Sequence, residues 1–322
     1  MRARHCSLIA LLLVVVAAAC AAAPPDRRSQ VDGLTQRIGA MPGVMQAGNT
    51  FNDSAAQGPA YFELDVNVAD DITGDQLAAI TSAYLGDLAA QDYRGYKAQL
   101  DVRTDANVFL VDGRPVSNRD QILAKARSWV ALQQQFRGST VGLRATTNAV
   151  PSSSNLQLPD PADYVAVAAA LDKLANVFGD LAAGDWTVSA GKQHPAEIRT
   201  SRRLPSPQEM ELWHTLNSDQ SIPHADVFTI NGAVTAPLWV SEKIPADDLD
   251  MALRLAQQHL PIVARLPAPV LYSATNQYQG HIDFHGQATG PVTVLIGGCM
   301  KRNYRPSPAE QALIDRYENC RR

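Results

Sequence analysis

A recurring order of helix and strand patterns most constrains the fold of this 322-residue chain. Amphipathic helical stretches alternate with pairs of short strand-like stretches, so that helix, two strands, helix, two strands returns along the sequence. Each helix or strand of this kind has one apolar face. A single repeat therefore buries its apolar face by packing against the neighbouring repeats. This repetition predicts a tandem array in which successive units are fused through shared sheet edges.

The helix starts carry the repeat most clearly. Three of them place a serine at the N-cap and an acid three residues later, which is a pattern typical of helix N-termini. These pairs are Ser117 with Asp120, Ser206 with Glu209, and Ser307 with Glu310. The second helix of each unit opens near Asp75, Asp163 and Asp247, at spacings of 163 − 75 = 88 and 247 − 163 = 84 residues.

These spacings divide the body into three α+β units, over residues 29–116, 117–205 and 206–322. Their strands alternate apolar and polar residues, which predicts an antiparallel sheet with one wet face. An example is the run Phe62, Glu63, Leu64, Asp65, Val66, Asn67, Val68. Helices such as Gln76–Leu88, Tyr164–Leu181 and Leu249–Val263 are predicted to cover the other face.

From about residue 61 to 146 the order is strand, helix, strand, strand, helix, strand, which is the order of a ferredoxin-like split unit. The segment Met41-Pro42-Gly43-Val44 resembles the helix-to-strand join of heavy-metal-associated modules with that fold. The resemblance implies tandem α-β-β-α-β-β repeats. Those modules carry a Cys-x-x-Cys loop that this chain lacks, so their metal-carrying function does not transfer. A β-rich sandwich with covering helices is the alternative architecture.

The N-terminus has the pattern of an export signal. A basic start at Met1–Arg4 precedes the apolar run Leu8–Ala19 and then Cys20. The sequence Ala17-Ala18-Ala19-Cys20 resembles the lipobox of bacterial exported lipoproteins. The resemblance implies that residues 1–19 are removed and that Cys20 becomes a diacylated N-terminus. Ordinary cleavage at an Ala-x-Ala site and an uncleaved anchor remain alternatives, although the apolar run is shorter than the ~20 residues that span a bilayer.

Under the lipoprotein interpretation, residues 20–28 form the lipidated N-terminus and a flexible tether. The protein is then predicted to lie on the outer side of the cell membrane, held there by its N-terminal lipid. Without residues 1–19, 28 − 2 basic side chains face 32 acidic ones, which leaves a formal charge of −6. This acidic balance argues against nucleic acid or an anionic lipid surface as a partner. The partner expected of an envelope protein of this kind is another envelope protein or a glycan.

Export leaves two cysteines in the body, Cys299 and Cys320. In an oxidising compartment the simplest interpretation is one disulfide that fixes the C-terminal helix to the strand Val292–Ile296. A two-ligand metal site is the alternative. It is disfavoured because structural zinc needs four clustered ligands and no second Cys or His pair lies nearby in the sequence.

His281, Asp283 and His285 form the most suggestive group of candidate metal ligands. Alternate residues of a strand point to one side, so this trio could present two imidazoles and a carboxylate to a metal. The same spacing arises when Ile282 and Phe284 point inward and the trio is simply the polar face of a strand. The polar face is the preferred interpretation.

The sequence contains no Gly-x-Ser-x-Gly, no phosphate-binding Walker motif and no His-Glu-x-x-His. No catalytic residue and no cofactor are therefore predicted. The preferred hypothesis is a non-catalytic envelope lipoprotein with a binding or scaffold role. An envelope-acting enzyme that uses the face of His281, Asp283 and His285, and a solute-binding lipoprotein of a transporter, are the alternatives.

Overall fold

A computed structural model describes the protein over residues 25–53, 58–113, 118–147, 153–232, 236–277 and 280–320. The predicted signal segment, Cys20 and the predicted N-cap Ser117 lie outside these ranges. Within them the chain forms seven helices and twelve strands. The order is helix, strand, strand, repeated six times and followed by a last helix.

The helices are α1 (Arg28–Gly39), α2 (Gly74–Ala90), α3 (Arg119–Gln135), α4 (Tyr164–Val177), α5 (Pro207–Ser218), α6 (Leu249–Val263) and α7 (Pro308–Tyr317). The strands are β1 (Val44–Asn52), β2 (Tyr61–Val68), β3 (Lys97–Thr104), β4 (Asn107–Asp112), β5 (Thr140–Thr146), β6 (Ser153–Gln157), β7 (Asp185–Ser189), β8 (Glu197–Thr200), β9 (Ala225–Ile230), β10 (Leu238–Lys243), β11 (Val270–Thr275) and β12 (Thr293–Ile296).

All twelve strands belong to one sheet, in which their spatial order is the order of the chain. Strands that follow each other directly pair antiparallel, as β1 pairs with β2. Strands joined through a helix pair parallel, as β2 pairs with β3. The sheet is therefore mixed, and the predicted antiparallel pairing holds only within each strand pair. Alternation reports which side of a strand is buried, but it does not report the direction of the neighbouring strand.

The ferredoxin-like arrangement is not confirmed. A split βαβ unit places another strand between the two strands that a helix joins, whereas here helix-joined strands are immediate neighbours. The sheet also continues across both predicted unit boundaries, because β4 pairs with β5 and β8 pairs with β9. Each of the three predicted units spans two consecutive helix-strand-strand repeats.

The helices cover one face of the sheet and share a continuous apolar core with it. Capping residues set several of their starts. Ser206 accepts a hydrogen bond from the backbone N–H of Glu209, whose carboxylate accepts from the N–H of Ser206, and this capping box begins α5. Ser307 caps α7 through the N–H of Glu310. The bounds predicted for the helix Leu249–Val263 are those of α6.

The side of the sheet opposite the helices is uncovered at β1–β8 and covered by other residues at β10–β12. We call the side of β1–β8 that faces away from the helices the open face. Beyond it, residues 280–306 fold over the outer side of β10–β12, where Leu271, Leu295 and Met300 form a second small apolar cluster. All residues of β11 and β12 are consequently buried.

Cys299 and Cys320 lie at disulfide distance, with their sulfurs 2.00 Å apart, as the sequence predicts. The bond joins the segment after β12 to the segment after α7. Glu318 closes the edge of β12 from the same side, because its carboxylate accepts hydrogen bonds from the N–H groups of Leu295 and Met300. The C-terminal edge of the sheet is therefore held by a covalent bond and by side chains.

At the other end, part of the predicted tether is attached to the body. The carbonyl of Pro25 accepts a hydrogen bond from the hydroxyl of Tyr96 at 2.9 Å, and Arg27 donates to the carbonyl of Asp92 at 2.9 Å. Helix α1 already begins at Arg28. Within the described ranges, no helix combines the length and apolarity that crossing a membrane requires.

Candidate functional site

The open face is mostly polar from β2 to β8, although β4 places the partly exposed Val108 and Leu110 on it. Its outward residues include Glu63, Asp65, Asn67, Gln99, Asp101, Arg103, Asp112, Arg144, Ser153, Asn155, Glu197 and Arg199. All of these except Asp101 are at least partly exposed. The alternation of the strands causes this, because the intervening residues point into the helix-covered core.

Charges of the open face are paired across and along the strands. Arg144 donates to the carboxylate of Asp112 on the neighbouring strand at 2.6 Å, and Gln99 donates to Glu63 at 2.9 Å. Along β8, Arg199 donates to Glu197. Such pairs add little stability at an exposed surface, but they hold the side chains in fixed positions on rigid strands.

Glu63, Asp65 and Asp101 bring three carboxylates within 4.8 Å of one another near the N-terminal end of the sheet. Partial burial and the charge of Asp65 raise the pKa of Glu63, and partial burial and the charge of Asp101 raise the pKa of Asp65. Arg103 donates to Asp101 at 3.0 Å and offsets part of the charge. This part of the open face attracts cationic groups.

A groove of about 610 Å³ lies at one end of the open face. Its lining includes Tyr61, Tyr96, Lys97, Gln99 and Arg144. Tyr61 is partly exposed beside hydrogen-bonding and cationic groups, which can hold a partner segment, whereas Tyr96 is only 3% exposed. The groove is also where the chain enters from the N-terminus, since Tyr96 holds the carbonyl of Pro25.

A second group of polar side chains lies on the opposite, helix-covered side of the sheet. This buried acid–histidine cluster consists of His224, Asp226, Glu242, His259 and Tyr272. Asp226, Glu242 and Tyr272 come from inward positions of β9, β10 and β11, and His259 comes from α6. Asp226 and Glu242 are direct partners in the strand register. Asp226, Glu242, His259 and Tyr272 are 0% exposed, and so is the side chain of His224.

Glu242 is the centre of the hydrogen bonding in this cluster. One of its oxygens lies 2.5 Å from Nδ1 of His259, and the other accepts from the hydroxyl of Tyr272. Nε2 of His259 faces the carboxylate of Asp219 at 3.4 Å. Burial alone lowers the pKa of His259, but the hydrogen bond and charge of Glu242 together with Asp219 raise it overall. Burial and the charge of Glu242 raise the pKa of Tyr272.

His224 and Asp226 make fewer hydrogen bonds than the other members of the cluster. Nδ1 of His224 lies 2.7 Å from the carbonyl of Ile222, so Nδ1 carries the proton and Nε2 bears a lone pair. That Nε2 is 3.7 Å from Oδ1 of Asp226, which is too long for a hydrogen bond. Among the residues that the structure describes, Nε2 of His224 and both carboxylate oxygens of Asp226 have no hydrogen-bond partner. Burial and the charge of Glu242 raise the pKa of Asp226 well above its usual value.

Two features near the protein surface border the cluster. A cavity of about 270 Å³ is lined by His224 together with residues that include Tyr164, His194 and Asn217. On another side, the side chain of Asp219 is 39% exposed and reaches His259. The hydrogen bonds that Asp219 accepts from Ser221 lower the pKa of Asp219 to about 2. This carboxylate is therefore ionised at the mouth of the cluster.

The prediction of a strand through His281, Asp283 and His285 is wrong. Asp283 accepts hydrogen bonds from the N–H groups of His285 and Gln287, and the chain turns there instead of remaining extended. Phe284, which the prediction turned inward, is 85% exposed. Within the described ranges, these three residues do not form one of the clusters whose ligand atoms are close enough for a metal.

The buried acid–histidine cluster was not predicted, although the sequence contains a signal for it. Glu242 continues the inward alternation of Leu238 and Val240, and Asp226 precedes Phe228 and Ile230 in the same phase. An acid at an inward strand position is unusual because an unpaired buried carboxylate is costly. The spatial partner His259 comes from a helix, so its contact with Glu242 required the fold.

Comparison of the sequence with protein-family models and with curated proteins, and of the structure with solved structures, found no match. The function is therefore inferred from the residues and geometry of this chain.

Proposed function

We propose that this chain is a lipid-anchored protein of the cell envelope with a non-catalytic binding or scaffold role, and that the open face is its binding surface. The observation that carries the proposal is the asymmetry of the sheet. Helices cover one side along its length, whereas the other side is mostly polar from β2 to β8 and is covered at β10–β12 by residues 280–291 and 297–306. An envelope protein or glycan is the partner class that this polar, charge-paired surface fits.

The position of the N-terminus supports an anchored orientation. Pro25 is held by Tyr96, and Tyr96 also lines the groove at one end of the open face. A lipid at Cys20 would leave only residues 21–24 between the anchor and this attachment point. The groove end of the open face would then lie close to the outer surface of the membrane. The partner would be an envelope component that is present at that level.

The geometry of the residues that the enzymatic alternative named gives it no support. It required His281, Asp283 and His285 to share one side of a strand, and Asp283 instead fixes a turn through backbone hydrogen bonds. We therefore assign no catalytic residue.

Photo-cross-linking in intact cells tests the binding surface. A photoreactive amino acid replaces Asn67 or Asn155 on the open face, or Asp172 or Glu211 on exposed positions of α4 and α5. The expected result is a discrete cross-linked product from positions 67 and 155 only. Equal products from all four positions, or products only from the helix positions, would contradict the proposed surface.

The anchor is tested in the same cells with Cys20→Ala. The expected result is a soluble or uncleaved protein and a loss of the cross-links at positions 67 and 155, because the open face is no longer held at the membrane. A protein that stays in the membrane fraction with a different mature N-terminus would contradict the lipid anchor. The cross-linking result would then test the open face independently of the anchor.

A further inference from the structure

We propose that His224, Asp226, Glu242 and His259 form a binding site for one divalent transition-metal ion of the zinc type. The site would lie on the helix-covered side of the sheet, between α6 and strands β9 and β10. It is independent of the proposed binding role of the open face, because it occupies the opposite side of the sheet.

The ligand types and their spacing suit such an ion. Two imidazoles and two carboxylates are an N- and O-donor set that zinc accepts in four-coordinate sites. Suitable ligand atoms of His224, Glu242 and His259 lie within 4.8 Å of one another. Bonds of about 2.0–2.1 Å place the ligands of a tetrahedral ion roughly 3.3 Å apart. The more distant ligand atoms would therefore move closer, and Nδ1 of His259 and Oε1 of Glu242, which lie 2.5 Å apart, would separate. Oδ1 of Asp226 is already 3.7 Å from Nε2 of His224.

Three of the four ligands have an outer partner of the kind that orients metal ligands in proteins. The carbonyl of Ile222 lies 2.7 Å from Nδ1 of His224, which directs the Nε2 lone pair inward. Asp219 faces Nε2 of His259, so Nδ1 of His259 is the inward atom. Tyr272 donates to the outer oxygen of Glu242. Histidine oriented by a carboxylate or carbonyl is a recurring feature of zinc sites.

The unsatisfied atoms point to the position of the ion. Nε2 of His224 and both oxygens of Asp226 lack a hydrogen-bond partner within the described part of the chain, although they are shielded from solvent. Leaving such groups unpaired costs free energy that well-packed proteins avoid. A cation between His224 and Asp226 would satisfy both at once. Two carboxylates and a divalent ion also give a neutral site when both histidines are neutral.

The proton balance of binding follows from the present contacts. Nδ1 of His259 and Oε1 of Glu242 lie 2.5 Å apart and share a proton. When the ion binds to both atoms, that proton leaves to solvent, as does any proton on Asp226. Binding therefore releases protons and strengthens as the pH rises. The cavity beside His224 and the exposed side of Asp219 border the site.

The test uses the full chain, purified without a polyhistidine tag and stripped with a chelator. Zn²⁺ is then added, bound metal is measured after desalting, and thermal unfolding is recorded with and without the ion. We expect a single retained equivalent of Zn²⁺ and a higher Tm, because an ion that binds only the folded state stabilises it. Co²⁺ should give the visible absorption of a four-coordinate site and should be displaced by Zn²⁺.

Variants locate the ion. His224→Gln and Asp226→Asn should each lose the retained equivalent, and Tyr272→Phe should weaken Zn²⁺ binding about 10-fold or more by removing the outer partner of Glu242. The matched control is the double variant His281→Gln with His285→Gln, which removes two histidines of the mispredicted trio and should bind as the unchanged protein does.

The wild-type result alone can overturn the proposal, so it does not depend on how well the variants fold. Failure of the unchanged protein to retain Zn²⁺, or a Co²⁺ spectrum of a fully hydrated ion, would show that the cluster is a proton-sharing core network. Retention that survives His224→Gln, or that is lost in the His281 and His285 control, would place the ion elsewhere.

Discussion

Glu318 shows how the chain keeps a charged side chain inside the protein. Its carboxylate accepts hydrogen bonds from the backbone N–H groups of Leu295 and Met300 and pairs with the guanidinium of Arg302. The side chains of Glu318 and Arg302 are only 1% and 10% exposed. Removal of this carboxylate takes the hydrogen-bond acceptor from two buried N–H groups. Arg302 would keep its hydrogen bonds to the carbonyls of Met300 and Thr293 but would lose its counter-charge.

Glu318→Ala should therefore destabilise the protein by about 3 kcal/mol or more, because the buried charge of Arg302 loses its carboxylate partner in addition to the lost hydrogen bonds. Urea unfolding measures the change. The control is Glu211→Ala, at an exposed position of α5, for which a change within about 0.5 kcal/mol is expected. Equal effects of the two substitutions would contradict this role of Glu318.

Glu209 should make stability depend on pH. Burial raises the pKa of Glu209, but its hydrogen bonds with Arg203 and Ser206 outweigh burial and lower the pKa overall. A carboxyl whose pKa is lower when folded stabilises the protein above the unfolded pKa. That stabilisation is lost as the pH falls through the folded pKa.

Glu209→Gln should cost about 1 kcal/mol near neutral pH, in the range of a lost helix cap. The difference from the unchanged protein should shrink as the pH is lowered below about 4.5, the ordinary pKa of Glu. Denaturant unfolding across this pH range provides the measurement. A difference that stays constant down to about pH 3 would show that the charge of Glu209 is not what stabilises the cap.

Single residues also show which contacts could be predicted from the sequence and which could not. The pairing of Cys299 with Cys320 could be predicted because only two cysteines remained and the compartment was inferred first. The metal interpretation of His281, Asp283 and His285 assumed an extended chain, and a turn at Asp283 removed it. The contact between Glu242 and His259 joins a strand to a helix 17 residues away, which periodicity does not report.

Among the elements, helices were predicted better than strand pairing. Caps and apolar periodicity are local, so the start of α5 at Ser206 and the bounds of α6 follow from the sequence. Strand direction and neighbours depend on how each helix carries the chain across the sheet. For this reason the sequence predicts an antiparallel, ferredoxin-like sheet, whereas the strands lie in chain order with parallel pairs across each helix.

The Cys299–Cys320 disulfide should stabilise the last element of the fold. It closes a loop over a sequence separation of 21 residues and joins α7 to the end of β12. Chain entropy assigns about 3 kcal/mol to a loop of this length. Reduction with a thiol should lower the Tm of the unchanged protein and should leave the Tm of a Cys299→Ser, Cys320→Ser double variant unaltered. Equal Tm values for oxidised and reduced protein would contradict this contribution.

At the scale of the whole molecule, the two faces of the sheet differ in polarity and in solvent exposure. The helix-covered face holds the apolar core and the buried acid–histidine cluster, whereas the open face holds paired charges in water. The two edges also differ. Side chains and a disulfide close the edge at β12, while the nine-residue β1 has a strand partner on only one side among the described strands.

Thiol labelling in intact cells tests most directly whether the open face is covered by a partner. Asn155→Cys places a thiol on the open face and Glu211→Cys places one on an exposed part of α5. The expected result is that position 155 reacts readily in the purified protein but is protected in cells, whereas position 211 reacts equally in both. Equal reactivity of position 155 in cells and in the purified protein would contradict the proposed binding surface.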